Sequence, residues 1–209
     1  PDSPVNVIKE DPKFEKILYL GTDNGTYISI DQGKVWHPFV NGLNKVAVHD
    51  LVIQTKKDDL ILGTHGRSIY KTNLKPIYNF LENGTSKRNG LFFSIDDLSH
   101  CGSCGTKRYN WDKEYREQNI EFVLYSEKDQ NVKLLMKFDQ TNIFQMKTQL
   151  KKGFQYVKLP MYYEDSAIND LNKSKEKYDL KKSDNGKTYF IKGSYSLSIG
   201  DYSESFQIK

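Results

Sequence analysis

The chain is predicted to be all-β, with terminal blades of a β-propeller followed by an antiparallel β-sandwich, and three observations point there. Gly21-Thr22-Asp23-Asn24-Gly25, leading into Tyr27-Ile28-Ser29-Ile30, has a counterpart 42 residues later in Gly63-Thr64-His65-Gly66, leading into Ile69-Tyr70. A spacing of about 40 to 45 residues is that of one four-stranded blade. An apolar run precedes Gly-Thr both times, Ile17-Leu18-Tyr19-Leu20 and Asp59-Leu60-Ile61-Leu62. After residue 118, short runs rich in Val, Ile, Tyr and Phe recur at strand length between turn residues, the pattern of a sandwich.

The elements follow in order. Val7-Ile8-Lys9 is matched with Val52-Ile53-Gln54 at a spacing of 45, the three extra residues falling in the loop between strands. Each unit then reads as strand, turn, strand, tight turn, strand. Tyr27-Ile28-Ser29-Ile30 alternates with period 2, and Asn24-Gly25 supplies the positive φ values that a two-residue hairpin demands. Val35 to Val40 is a candidate fourth strand of the first unit. The second unit lacks one, because Lys71-Thr-Asn-Leu-Lys-Pro76 leaves the pattern, and residues 77–84 read as a short apolar turn. A closed propeller takes roughly four to eight blades. One repeat and most of another cannot bury their own sheet faces, so the partner expected first is the remainder of the propeller, in the same polypeptide or a cleaved chain.

Residues 1–84 are thus assigned to the last one or two blades, 85–117 to a linker with a Cys-x-x-Cys loop, and 118–209 to the sandwich. Strands are expected at Ile120–Ser126, Val132–Phe138, Ile143–Thr148, Gln155–Leu159, Thr188–Ile191, Tyr195–Ile199 and Phe206–Ile208. Residues 163–187 interrupt the series and are expected to be an exposed, mobile insertion. Within the linker, Leu91-Phe92-Phe93 and Trp111 are apolar enough to pack against a domain face.

Composition bounds the function. The 209 residues are 37% hydrophobic and 28% charged, with a formal net charge of +4. Both signs are interleaved throughout, so no nucleic-acid footprint stands out. No window approaches the roughly 18 apolar residues of a membrane span.

The most specific motif is Ser29-x-Asp31-x-Gly33-x-x-Trp36. Its physics is structural: the aspartate accepts backbone N–H bonds across a tight turn, the glycine relieves it, and the tryptophan fills a gap between blades. It resembles the Asp box of bacterial neuraminidase-type (BNR) repeats. With His49-Asp50-Leu51 and Thr64-His65-Gly66-Arg67-Ser68-Ile69-Tyr70, the stretch is similar to the final blades of large bacterial Asp-box proteins related to sortilin-like propellers and to xyloglucan-active glycosidases. In that plan an Ig-like domain of the flagellar hook-cap type follows the propeller. Ile120-Glu-Phe-Val-Leu-Tyr125, Val132 to Phe138, Lys152 to Leu159 and Gly193-Ser-Tyr195-Ser-Leu197-Ser-Ile199 resemble its strands. The resemblance implies an exported protein at the bacterial cell surface or in the periplasm, where a larger surface or outer-membrane complex is a further expected partner.

His49, Asp50, His65 and Arg67 are the one group with catalytic-looking chemistry. A sialidase needs three arginines around a carboxylate, and of Arg67, Arg88, Arg108 and Arg116 three lie in the linker. An inverting glycosidase needs two opposed carboxylates roughly 6.5 to 9.5 Å apart. The resemblance places those in other blades. His49, Asp50, His65 and Arg67 are therefore read as candidate propeller-closure or binding residues, and no catalytic residue is assigned. His100-Cys101-Gly-Ser-Cys104 admits half a zinc site, a redox pair, free thiols or a local disulfide; for an exported protein the disulfide is favoured. No cofactor or metal is expected. The function expected is a non-catalytic binding or assembly scaffold, and the alternative is part of a glycoside hydrolase whose carboxylates lie outside this chain.

Overall fold

The computed structural model describes residues 2–39, 45–66, 68–83, 90–174 and 177–209. Among the described residues the protein is all-β, with two short helices and several antiparallel sheets, none closed on itself. Its residues divide into two compact units: 1–92 with 123–128 and 151–156, and 93–122 with 129–150 and 157–209.

The first unit begins with two antiparallel meanders. Strands β1 (Val5–Glu10), β2 (Leu18–Thr22), β3 (Gly25–Ser29) and β4 (His37–Pro38) form one sheet in chain order. Strands β5 (Val48–Gln54), β6 (Asp59–Thr64) and β7 (Ile69–Asn73) form the next. The sequence repeat is repeated in register. Val5 pairs with Thr22 and Val7 with Gly21; Val48 pairs with Thr64 and Asp50 with Gly63, each step passing a bulge. Asn6 and His49 are the residues skipped. The register equates Val7 with Asp50 and Ile8 with Leu51, a spacing of 43 and not the expected 45. Matching apolar letters misled there because β1 is largely exposed while β5 buries Val48 and Leu51.

Three further expectations are corrected in this unit. Strand β4 is confined to two residues: the Val35 amide is committed to the Asp31 side chain, and Pro38 has no N–H to donate. The β2–β3 hairpin takes its positive φ at Gly25 (112°), the residue closing the turn, and not at Asn24. Residues 75–83 are a helix, α1 (Lys75–Asn83), and not an apolar turn. Pro76 suits a first helical turn, where its missing N–H goes unmissed, and the Asn73 side chain accepts the Lys75 N–H at 3.0 Å. Leu74, Ile77, Tyr78 and Phe80 recur at helical spacing and are buried. The core joins both meanders to α1 through Tyr19, Ile28, Leu51, Leu60, Leu74 and Ile77.

Strands β8 (Leu91–Phe93), β9 (Asn119–Ser126) and β12 (Gly153–Pro160) form a three-stranded sheet, order β12-β9-β8. Leu91–Phe92, Val123–Ser126 and Gly153–Tyr156 count with the first unit. There Phe80, Tyr125 and Phe154 form an aromatic cluster edged by His37.

The second unit centres on β10 (Gln130–Phe138), β11 (Thr141–Leu150), β15 (Gly193–Ile199) and β16 (Tyr202–Ile208), in the order β11-β10-β15-β16 with every neighbour antiparallel. Alternation decides which face is buried: Leu134, Met136 and Phe138 on β10 and Tyr195, Leu197 and Ile199 on β15 all face inward. Gly200, at φ 59°, turns β15 back into β16. Strands β13 (Tyr162–Tyr163) and β14 (Thr188–Tyr189) pair as a small ribbon. Residues 163–187, expected to be exposed throughout, contain α2 (Asp165–Lys173), which packs on β11 and buries Ala167 and Leu171. Two apolar residues four apart suffice for one stripe of a two-turn helix, and charged neighbours hid them in the sequence.

From Phe93 on, the stretch read as linker is tied down within this unit, while residues 85–89 lie outside the described residues. Leu98 bridges to Ile208 in parallel, and Asp97 accepts the Gln207 amide at 2.8 Å while pairing with Lys209 at 2.7 Å. Phe93 is fully buried against Phe122 and Tyr202. Trp111, expected to pack on a face, is 78% exposed.

Candidate functional site

The two Gly-Thr hairpins place the candidate residues. In the first, the Thr22 hydroxyl donates to Gly25 O (2.9 Å) and accepts the Asn24 amide (3.1 Å). In the second, Thr64 donates to Ser68 O (2.5 Å) and accepts the Ser68 amide (3.2 Å). The repeated threonine therefore closes a turn twice. The repeated glycines differ in their surroundings. A Cβ on Gly21 would lie 2.7 Å from Val7 Cγ1 and 2.9 Å from both Cγ1 and the carbonyl oxygen of Val48, so the second sheet sits against its hydrogen face. At Gly63 the nearest atom is 3.6 Å away, on Asp50 of the same sheet.

The bulges aim the next residues. Asn6 donates to Asp23 (2.9 Å) and to Val48 O of the second sheet (3.3 Å). His49, its equivalent, is exposed, with its ring 5.4 Å from that of His65. Asp50 is exposed as well, and its carboxylate accepts the amide of Leu51 (2.9 Å). So His49, Asp50 and His65 lie at one end of the β5–β6 pair, all three exposed, with the two histidine rings near each other. Arg67, the fourth candidate, lies outside the described residues.

The Ser29–Trp36 loop is bonded internally. Buried Ser29 donates to Asp31 (2.7 Å) and accepts the Gly33 amide (2.8 Å), while Asp31 accepts the Val35 amide (2.9 Å). Gln32 and Gly33 adopt positive φ (62° and 85°), and the Trp36 indole lies beside Gly33. Desolvation alone would raise the Asp31 pKa; the amides of Val35 and Lys34 and the Ser29 hydroxyl outweigh it and hold the group below the usual carboxylate value. Nearby His37 is held below the ordinary imidazole value, by burial first and then by the Lys152 charge.

Cys101 and Cys104 are disulfide-bonded. Gly105 follows at φ 77°, its amide on Arg116 O (2.8 Å), and Arg116 N donates to Thr106 O (2.9 Å). A group of three or more His, Cys, Asp or Glu side chains placed to hold a metal is absent among the described residues. Among the described residues no helix is long and apolar enough to cross a membrane.

Two features escaped the sequence. Asp11, 2% exposed, accepts four hydrogen bonds: from the amides of Lys13 (2.8 Å) and Phe14 (3.1 Å) and from the hydroxyls of Tyr19 and Tyr78 (both 2.8 Å). Burial first, and then the Asp11 carboxylate, pushes the Tyr19 and Tyr78 hydroxyls above the ordinary tyrosine value. Asp-Pro at positions 11–12 is a turn-initiating pair, but nothing local announces two tyrosines converging on it. The other is a parallel stack of Tyr109 on Trp111, with ring centroids 4.9 Å apart and planes 3° from parallel.

No protein-family model and no curated protein matches the chain. Among solved structures it is similar to two crystal structures of the extracellular domain of BT4673 from B. thetaiotaomicron, each at 13% identity. The TM-scores are 0.27 and 0.25, over 100% and 98% of this chain. The chain spans 25% of the length of each of those structures.

Proposed function

We propose that this chain is the C-terminal portion of an exported Asp-box β-propeller protein, followed by an Ig-like module, acting outside the cytoplasm as a non-catalytic binding or assembly scaffold. The observation that carries this reading is the equivalence of the two meanders, which share register, bulge and threonine-closed hairpin. A bulge residue reaching the following sheet is the kind of contact that repeats around a ring. Asn6 makes it to Val48 O, and His49 stands at the corresponding place with its ring exposed. Gly63 likewise keeps open the room that Val48 fills at Gly21. Val52 and Ile69 on the second sheet, 51% and 76% exposed, are apolar surface that a further blade would cover. The polar groups of the Asp box are spent on their own loop, which suits a scaffold.

The test uses the natural polypeptide. Upstream sequence should hold further Gly-Thr and Asp-box units about one blade length apart. His49→Ala should lower the melting temperature of that polypeptide by several degrees and leave the 209-residue chain unchanged. An equal response in both, or an upstream sequence without such units, removes the propeller reading. Turnover of a polysaccharide by the natural polypeptide, lost on substituting a pair of upstream carboxylates, would replace the scaffold with the glycoside hydrolase.

A further inference from the structure

We propose that the tip of the loop from Gly105 to Arg116 is a carbohydrate-binding platform whose contact surface is the open face of Trp111. This stands on the second unit alone and does not depend on the propeller reading. The starting observation is an indole 78% exposed, where a side chain of that size is normally covered. Tyr109 lies parallel to it at 4.9 Å and can cover only one face. The other is presented to solvent.

The loop holds that face in place. At its base, the Gly105 amide donates to Arg116 O and the Arg116 amide to Thr106 O, beside the Cys101–Cys104 disulfide. At its tip, Asp112 takes the Tyr109 amide on its carboxylate (3.0 Å) and returns its own amide to Tyr109 O (3.0 Å). This last pair fixes the backbone between the two rings. Arg108 lies over the Tyr109 ring at 5.5 Å and Lys107 over Tyr115 at 5.3 Å. A surface ordered before binding loses little entropy when a ligand arrives.

The surroundings select the class of ligand. Asn110, Asp112, Lys113 and Glu114 flank the tryptophan in the chain, all polar. A partner that buried this tip in an apolar interface would have to desolvate them, at a cost that a single ring does not recover. Residues 107–117 carry four cations and three carboxylates, a near balance that gives an anionic surface little to hold. A pyranose meets both demands. One of its faces is a patch of C–H groups that packs on the electron-rich face of an indole, while its hydroxyls at the rim reach carboxylate, ammonium and amide groups.

The test is native electrophoresis of the full chain through gels containing a neutral β-glucan, a xylan or a galactomannan, with sedimentation against phosphatidylcholine and phosphatidylcholine/phosphatidylglycerol vesicles. The chain should be retarded by at least one polysaccharide. Trp111→Ala should weaken that retardation at least tenfold and Tyr109→Ala severalfold, with Trp111→Gln as the second variant should the alanine chain lose its melting transition. In a Trp36→Phe background Trp111 is the one remaining indole, and its emission should shift to the blue with the same polysaccharide. Migration unchanged in all three gels overturns the proposal, as does retardation that survives both Trp111 substitutions. Trp111-dependent vesicle binding or self-association without retardation overturns it in favour of a lipid surface or a second copy.

Discussion

Two loops of this protein carry a tryptophan and use an aspartate to hold a backbone amide, yet they point their polar chemistry in opposite directions. In the Ser29–Trp36 loop the serine and aspartate bond the loop to itself, and the indole lies down beside Gly33. In the 105–116 loop the bonds gather at the base and under the tip, and Trp111 stands free. The first loop consumes its side chains to make a fold. The second uses a fold to display a side chain.

The largest expected effect separates the glycines at their bases. A Cβ on Gly105 would lie 2.3 Å from Ser183 Cβ and 2.8 Å from Tyr189 Cε2, at a φ of 77°. Gly105→Ala should therefore cost about 3 kcal/mol or more in urea unfolding, overpacking being added to left-handed strain. Gly33 has a similar φ of 85° but 3.5 Å of room, so Gly33→Ala should cost about 1–2 kcal/mol. Equal losses would mean that the 105–116 loop is not clamped to the 183–189 turn.

Next comes the staple. Replacing Cys101 and Cys104 by serine opens a four-residue ring, for which loop-closure entropy gives about 2 kcal/mol. Amide exchange should accelerate in residues 101–116 and remain unchanged in residues 29–36. Faster exchange in both regions would deny the disulfide its local role.

Much of this contrast was legible in the sequence, and what was not has physical reasons. The strands after residue 118 were readable because one face is buried and alternation records it. Strand β1 was misaligned because its apolar residues, Val5 and Ile8, are more than half exposed and carry no register information. The bulge at His49 leaves no mark in composition. Helix α1 was hidden because Pro76 reads as a breaker when it begins a helix. The Ser29–Trp36 motif was legible because its bonds are local, Ser29 to Asp31 to Val35. The Asp11 cluster was not, since Tyr78 is 67 residues away from it. Trp111 was expected to be packed because burial is the ordinary fate of an indole, and the hydrogen bonds that hold it out are backbone bonds and one to the Asp112 carboxylate, none of them made by the indole itself.

The indoles themselves give a smaller difference. Trp36 is half-buried against its own loop, and Trp36→Ala should cost about 1–2 kcal/mol of stability. Trp111→Ala should change stability by less than about 0.5 kcal/mol, as surface substitutions usually do. A large loss at Trp111 would show that the ring supports the loop and is not merely displayed by it.

The smallest effect is in acid, and it isolates the carboxylate of the first loop. Because the folded protein holds Asp31 below the ordinary carboxylate pKa, its ionised form favours the folded state. That contribution is complete above the unfolded value of about 4 and disappears as pH falls through the lower folded value. His37, held below the imidazole range by burial, withdraws stability already below about pH 6.5, so the acid limb of the protein itself has more than one cause. Asp31 also favours a protonated His37, so the difference between the protein and Asp31→Asn keeps part of the His37 titration. It should be constant above about pH 7, rise slightly as His37 takes up its proton, then shrink below about pH 4. Asp31 is partly exposed, so the difference should be no more than about 1 kcal/mol. A difference that keeps growing below about pH 4 would mean that Asp31 is strained in its ionised form, and the serine-aspartate turn would then be a cost that the loop bears for some other contact.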